Sequence, residues 1–180
     1  KKEFLILFEV SDPETGVEIL RQVLDRYPTG DFADDARFTI ANFYFQEARY
    51  TEALEEYKVL RESEDFKTSE WRHVALYQIA KCQEAGYQGP PYDTSSIQES
   101  RESYAEYENE DPSGSRIADS RARRAEIDLD LATSDLRKAK WYLQWGRPQA
   151  AAVFLRDIVD LYPGTEPARE ARELLDDLGP

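Results

Sequence analysis

Side chains able to do covalent or acid–base chemistry are scarce: His73 is the only imidazole and Cys82 the only thiol in 180 residues. A nucleophilic triad needs a base within hydrogen-bond reach of a Ser, Thr or Cys, and no Gly-Xaa-Ser-Xaa-Gly elbow or phosphate-cradling glycine loop supplies a setting for one. A single cysteine excludes an internal disulfide and a thiolate-rich metal site. Within Tyr77-Gln78-Ile79-Ala80-Lys81-Cys82 it reads as a small buried helix residue. Carboxylates are plentiful, as in Glu62, Glu64 and Asp65 or Glu108, Glu110 and Asp111. Acid–base pairs need a cleft, however, and these groups fall at helix ends, where solvated faces are expected. No catalytic residue, metal or cofactor is therefore expected, and the chemistry left is recognition.

Charge narrows the partners. Twenty-three Lys and Arg against 37 Asp and Glu give a net charge of −14, which repels phosphate backbones, so no nucleic acid is expected to bind. The densest basic group, Arg116, Arg121, Arg123 and Arg124, alternates with Asp119, Glu126, Asp128 and Asp130, the pattern of a salt-bridged helix face. With a mean hydropathy of −0.73 and no apolar run of about 18 residues, nothing in the sequence reads as a membrane span. The sequence opens on Lys1 and contains no Met; a piece of a longer chain is expected, with any export signal upstream.

The elements that would position recognising side chains are written in a repeat. Ala139 is followed by Tyr142, by Gly146, by Ala151 twelve residues after Ala139 and by Pro163 twelve after that, with Leu155 and Ile158 four and seven residues past Ala151. This is a helical hairpin: one apolar stripe per helix, small residues for close approach, Gly146 ending the first helix and Pro148 starting the second. Ala41, Tyr44, Ala53, Tyr57 and Leu60 repeat the frame with Asp65 in place of its proline. Gly16, Leu20, Val23 and Pro28, and again Ser100, Tyr104, Tyr107 and Pro112, repeat its second half. Three second helices run into similar stops, Tyr27-Pro28-Thr29-Gly30, Asp111-Pro112-Ser113-Gly114 and Tyr162-Pro163-Gly164-Thr165.

The expected fold is all-α, a tetratricopeptide-like right-handed superhelix of antiparallel hairpins in a single domain spanning 1–180, with repeats at about 12–64, 69–112 and 115–180. Helices are expected at 12–27, 32–48, 51–63, 69–85, 94–109, 115–145, 148–161 and 166–178. Residues 4–10 read as a strand, an extended docking segment or a helix end. Two places break the period. The 86–96 loop, rich in Gly and Pro, is either a contact site or a connector, with Asp93 or Thr94 capping the helix after it. The helix from Arg116 to Trp145 is too long for the repeat, roughly 45 Å at ~1.5 Å per residue. Ala118, Ala122, Ala125, Leu129, Ala132, Leu136, Ala139 and Leu143 make a seam along it of period 3.5, expected to bury within the chain, most closely in its alanine-rich first half.

In these features the chain resembles the BamD or YfiO family of tetratricopeptide-type outer-membrane assembly lipoproteins. The resemblance rests on Asp119-Ser-Arg-Ala-Arg-Arg-Ala-Glu126, Leu129-Asp-Leu-Ala132, Ala139-Lys-Trp-Tyr142, Gly146-Arg-Pro-Gln-Ala-Ala151 and Leu161-Tyr-Pro-Gly-Thr165, and on Tyr92-Asp93-Thr94 between the middle repeats. Ser100, Gly16 and Asp65 depart from the Ala, Ala and Pro expected of the repeat. What the resemblance implies is a periplasmic scaffold at the inner face of the outer membrane, held there by lipid on an N-terminal cysteine absent from this sequence. Its C-terminal repeats would bind a β-barrel assembly partner and its N-terminal repeats would receive unfolded outer-membrane clients. A generic tetratricopeptide adaptor in another complex is the alternative. First helices line the concave side of such arrays, which turns Phe38, Asn42, Phe45, Tyr77 and Lys81 inward as a candidate peptide groove; hairpin core is the other reading of Phe38, Phe45 and Tyr77.

Overall fold

The computed structural model describes residues 12–87, 89 and 93–179, which leaves the 4–10 segment and the tip of the 86–96 loop outside the described residues. Among those described there are eight α-helices and no strand: α1 (Pro13–Arg26), α2 (Ala33–Gln46), α3 (Tyr50–Glu62), α4 (Trp71–Ala85), α5 (Ser95–Glu110), α6 (Ile117–Gln144), α7 (Pro148–Leu161) and α8 (Glu166–Leu178). Each limit falls within two residues of the sequence-based expectation. The fold is the all-helical, tetratricopeptide-like one, with each helix packed on its neighbours in sequence.

The stops repeat in geometry as they do in sequence. After α1, Gly30 N–H donates to the Tyr27 carbonyl and Ala33 N–H to that of Gly30; after α5, Gly114 and Ile117 make the same two bonds to Asp111 and Gly114. Where the frame lacks its proline, at Asp65, α3 ends at Glu62 and a 3₁₀ turn (Glu64–Phe66) is inserted. The ladder there has one more rung, Phe66 to Ser63, Ser69 to Phe66 and Arg72 to Ser69. The inserted turn drops Phe66 into the core.

Two hairpin turns are alike down to their hydrogen bonds. At the end of α6, Gly146 N–H donates to the Leu143 carbonyl and Arg147 N–H to that of Tyr142; at the end of α2, Ala48 donates to Phe45 and Arg49 to Tyr44. This 5→2 and 6→1 pair demands a left-handed residue. Gly146 supplies it at φ 65°, but Ala48 adopts φ 56° with a Cβ. A left-handed residue other than glycine costs about 1–2 kcal/mol, against about 0.5–1 kcal/mol of extra unfolded-chain entropy for glycine. Ala48→Gly is therefore expected to raise stability by about 0.5–1 kcal/mol, seen as a higher urea midpoint with unchanged slope; a lower midpoint would show that the turn is unstrained.

The core forms two clusters that meet at α4. Ala75, Ile79 and Cys82 face a cluster with Ile40, Tyr57 and Leu60, whereas Leu76, Tyr77 and Ala80 face one with Tyr104, Ile127 and Leu155. Each set recurs at helical spacing, so α4 carries two adjacent apolar stripes and joins the halves of the array.

Two elements pack differently from the sequence reading. On α6, Ala118, Ala122, Ala125 and Leu129 are exposed, and the first half buries Ile117, Ser120, Ile127 and Leu131 instead. Only from Ala132 through Leu136 to Ala139 does the expected seam hold. Ile and Leu remove far more apolar area from water than Ala. The polar gaps between them are filled by Ser120, whose hydroxyl donates to Glu108 Oε1 at 3.1 Å, and Arg124, at 2.9 Å from Glu108 Oε2. Glu108 is correspondingly buried, contrary to its expected place on a solvated helix end. On α1, Val23 is exposed and Leu24 is buried, because the helix presents its larger apolar residues to α2.

Candidate peptide groove

α2 and α4 are the first helices of successive hairpins, and their side chains meet in rungs. At one end the Phe38 and Trp71 rings stack, centroids 4.2 Å apart and 11° from parallel, and Trp71 Nε1–H donates to Asp35 Oδ1 at 2.7 Å. In the middle, Tyr57 of α3 donates its hydroxyl to Asn42 Oδ1 at 2.8 Å and accepts from Gln78 Nε2 at 3.3 Å, while Gln78 Nε2 also reaches Asn42 Oδ1 at 3.4 Å. Burial pushes the Tyr57 phenol well above its ordinary value, so the hydroxyl keeps its proton and fixes both amides. At the other end Lys81 Nζ lies 4.7 Å from the Phe45 ring centroid and 5.9 Å from that of Tyr77.

Phe38, Asn42, Phe45 and Lys81 are all partly buried and share this surface. Tyr77 is 6% exposed and belongs to the C-terminal core. Its hydroxyl donates to Asp119 of α6, and burial, followed by that carboxylate, raises its phenol. Its ring lies 5.9 Å from Lys81 Nζ. Sequence reasoning missed Trp71 and Gln78. Both stand on the Lys81 face of α4, ten and three residues before it, and extending the helical spacing backward from Lys81 would have found them.

The rungs suit an extended backbone. Gln78 Nε2–H donates to Asn42 Oδ1, which leaves the Asn42 amide N–H₂ and the Gln78 carbonyl as the donor and acceptor a peptide unit could use. The aromatic pair beside them offers a flat apolar wall.

The remaining chemistry-bearing residues are structural. Cys82 is buried, and burial pushes its thiol up to about 12, with the charge of Lys81 pulling the other way; so raised a thiol is inert near neutral pH. His73 stacks on Tyr107 at 4.3 Å, with Glu110 and Asp111 oxygens 3.8 and 3.6 Å from its nitrogens. Among the described residues no group of His, Cys, Asp and Glu is arranged to hold a metal ion, and no helix is long and apolar enough to cross a membrane. Three α6 arginines are tied to neighbouring helices: Arg123 to Glu84 of α4, and Arg124 and Arg121 to Glu108 of α5.

The match to known families follows the same span. The model of the outer membrane lipoprotein family YfiO matches residues 8–177, nearly the whole chain and every helix described above. The chain belongs to the YfiO family. Among individually characterised proteins none matches the sequence. The YfiO segment on which the resemblance rested, residues 119–165, here builds α6, the Gly146 turn, α7 and the Tyr162 stop. This end of the array carries a second surface feature. Trp141 and Trp145 pack on each other at 5.7 Å while 50% and 68% exposed, beside a hollow of about 560 Å³ between α6 and α8 lined by Leu136, Lys140, Trp141 and Pro167.

Proposed function

We propose that this YfiO chain is a non-enzymatic scaffold that assists the assembly of β-barrel proteins into an outer membrane, working on the periplasmic side and held there by lipid on an upstream cysteine. The family match over residues 8–177 carries the reading. Within it, the groove of Phe38, Trp71, Asn42, Gln78, Phe45 and Lys81 receives extended segments of unfolded clients, and Tyr77 shapes its floor. The exposed Trp141 and Trp145 at the other end are the anchors for the barrel-assembly partner, since large half-exposed aromatics dominate binding when desolvated. Carboxylates at Asp31, Asp34, Asp35, Asp65 and Glu70 surround a hollow of about 440 Å³, and with a net charge of −14 they steer basic surfaces toward the scaffold.

The test is reconstitution. Liposomes holding the barrel-assembly partner are given an unfolded outer-membrane barrel with and without the full lipidated chain, and folded barrel is measured by protease protection. Faster folding with the chain is expected; equal rates would refute the assignment.

A further inference from the structure

We infer that the exposed apolar face of α1 is the seat of residues 4–10 of this same chain, folded back as the closing turns of a first helix. That makes α1 the second member of a hairpin like α2/α3 and α6/α7. The repeat frame supplies the comparison, its small residue being Gly16 in α1, Ala53 in α3, Ser100 in α5 and Ala151 in α7. Seven residues further on, Leu60, Tyr107 and Ile158 are 0%, 2% and 0% exposed, but Val23 of α1 is 43% exposed. Three residues past the small one, Glu56, Ser103 and Phe154 are partly buried, whereas Ile19 is 47% exposed. Tyr27 is 60% exposed where Tyr162, at the same place before its stop, is 6% exposed.

The difference has a structural source. α3, α5 and α7 each pack on the helix before and the helix after, while α1, among the described elements, has only α2 as a closely packed neighbour. In α7 the residue at the place of Ile19 is Phe154, which stacks on Tyr142 of the preceding α6 with ring centroids 5.6 Å apart and 18° from parallel. The face left open on α1 is thus the one a preceding helix covers elsewhere in the array.

Residues 4–10 lie outside the described residues, and their sequence suits that place. Twelve residues before Gly16 stands Phe4 and three further on Leu7, the frame positions of Ala139 and Tyr142 in α6 and of Ala41 and Tyr44 in α2. Leu7 then meets Ile19 as Tyr142 meets Phe154. Phe4 is large where the other first helices carry alanine, and Gly16 is the smallest residue at its own frame position, so the volume shared by the pair is kept. Helices α3 and α7 are joined to the helices before them by residues 47–49 and 145–147. The same link before Pro13 is 10–12, and Pro13 opens α1 as Pro148 opens α7. Phe4 to Phe8 is the longest run of large apolar side chains in the sequence, and a run of that kind does not stay in water beside an open apolar face. Tethered through so short a link, it outcompetes a second copy or a partner for α1. This face is therefore closed to partners, and recognition is left to the other surfaces of the array.

Two cysteine pairs test this in the full chain carrying Cys82→Ala, with dibromobimane, which bridges only thiols a few ångströms apart, and with circular dichroism to check that helicity is unchanged. Leu7→Cys with Ile19→Cys is expected to cross-link within one chain at least about tenfold faster than Leu7→Cys with Glu18→Cys, whose exposed position is turned about 100° around the helix. Equal rates for the two pairs would overturn the proposal, and so would a bridge between two chains, which would make a second copy the occupant. Hydrogen exchange gives an independent reading. Leu7→Asp should speed exchange of the α1 amides by about tenfold and leave those of α7 unchanged; unchanged exchange in α1 would overturn the proposal as well.

Discussion

Truncation of Tyr104 to alanine is expected to lower the unfolding free energy by about 3–5 kcal/mol, the range for emptying a large buried aromatic site. Tyr104 is 0% exposed and sits where α4, α5 and α6 converge. Its ring meets Tyr77 edge-on at 5.8 Å, and its hydroxyl donates to Glu84 Oε2 at 2.9 Å. Burial, reinforced by the Glu84 charge, holds the phenol far above its ordinary value, so the donor persists throughout the pH range in which the protein is handled. Three helices held by main-chain ladders cannot collapse into the vacated space, which keeps the cost near the upper part of the range. Tyr104→Phe isolates the polar share. It leaves the ring and removes one hydrogen bond to a charged acceptor, about 1.5–3 kcal/mol, at the low end here because Glu84 keeps Arg123. Urea titration followed by circular dichroism measures both. A loss below about 1.5 kcal/mol for the alanine variant would mean that α5 repacks and that the second core is far softer than its burial implies.

The second large effect is on binding. On the groove reading, Trp71→Ala should weaken a client-derived peptide by about 2 kcal/mol or more, roughly thirtyfold, because buried Trp anchors dominate peptide and protein interfaces. The loss has two physical parts. The indole supplies half of the flat wall it makes with Phe38, and its N–H holds Asp35 in place; without the indole, Phe38 loses its stacking partner and is free to fill the vacated surface. Trp71→Phe keeps a ring and sacrifices the hydrogen bond, so a smaller loss is expected. Titration calorimetry with one blocked client peptide, run on both variants, decides it. An alanine variant that binds as tightly as the parent chain would exclude this wall from the site, whatever the stability of the variant.

The helix faces proposed as a groove were partly legible in the sequence. Phe38, Asn42 and Phe45 lie four and three residues apart and face the same way because a helix turns once in 3.6 residues, and the order of the expected helices made α2 and α4 first helices of successive hairpins. For Tyr77 the core reading left open by the sequence is the one the packing favours: positions 77 and 78 are 100° apart, and only the packing of α5 and α6 against α4 determines which of them is roofed over. Asp119 taking the Tyr77 hydroxyl settles it, and no local pattern in α4 encodes a partner 42 residues away.

The seam on α6 failed for a related reason. Its alanines recur at coiled-coil spacing, but spacing alone does not say which stripe carries more burial energy. Ile117, Ile127 and Leu131 outweigh them in area, and Glu108 from α5 makes the interrupting Ser120 and Arg124 tolerable inside.

The sequence by itself determined the eight helices, their stops and the hairpin frame, because turn residues, proline, glycine and apolar spacing act over a few neighbouring residues and carry their information locally. Tertiary structure alone decided the rotation of each helix about its axis, the burial of Glu108 and the two-sided role of α4. Those depend on which helices meet and on the desolvation of polar groups at the contact, quantities that belong to pairs of distant residues and not to any one stretch of chain.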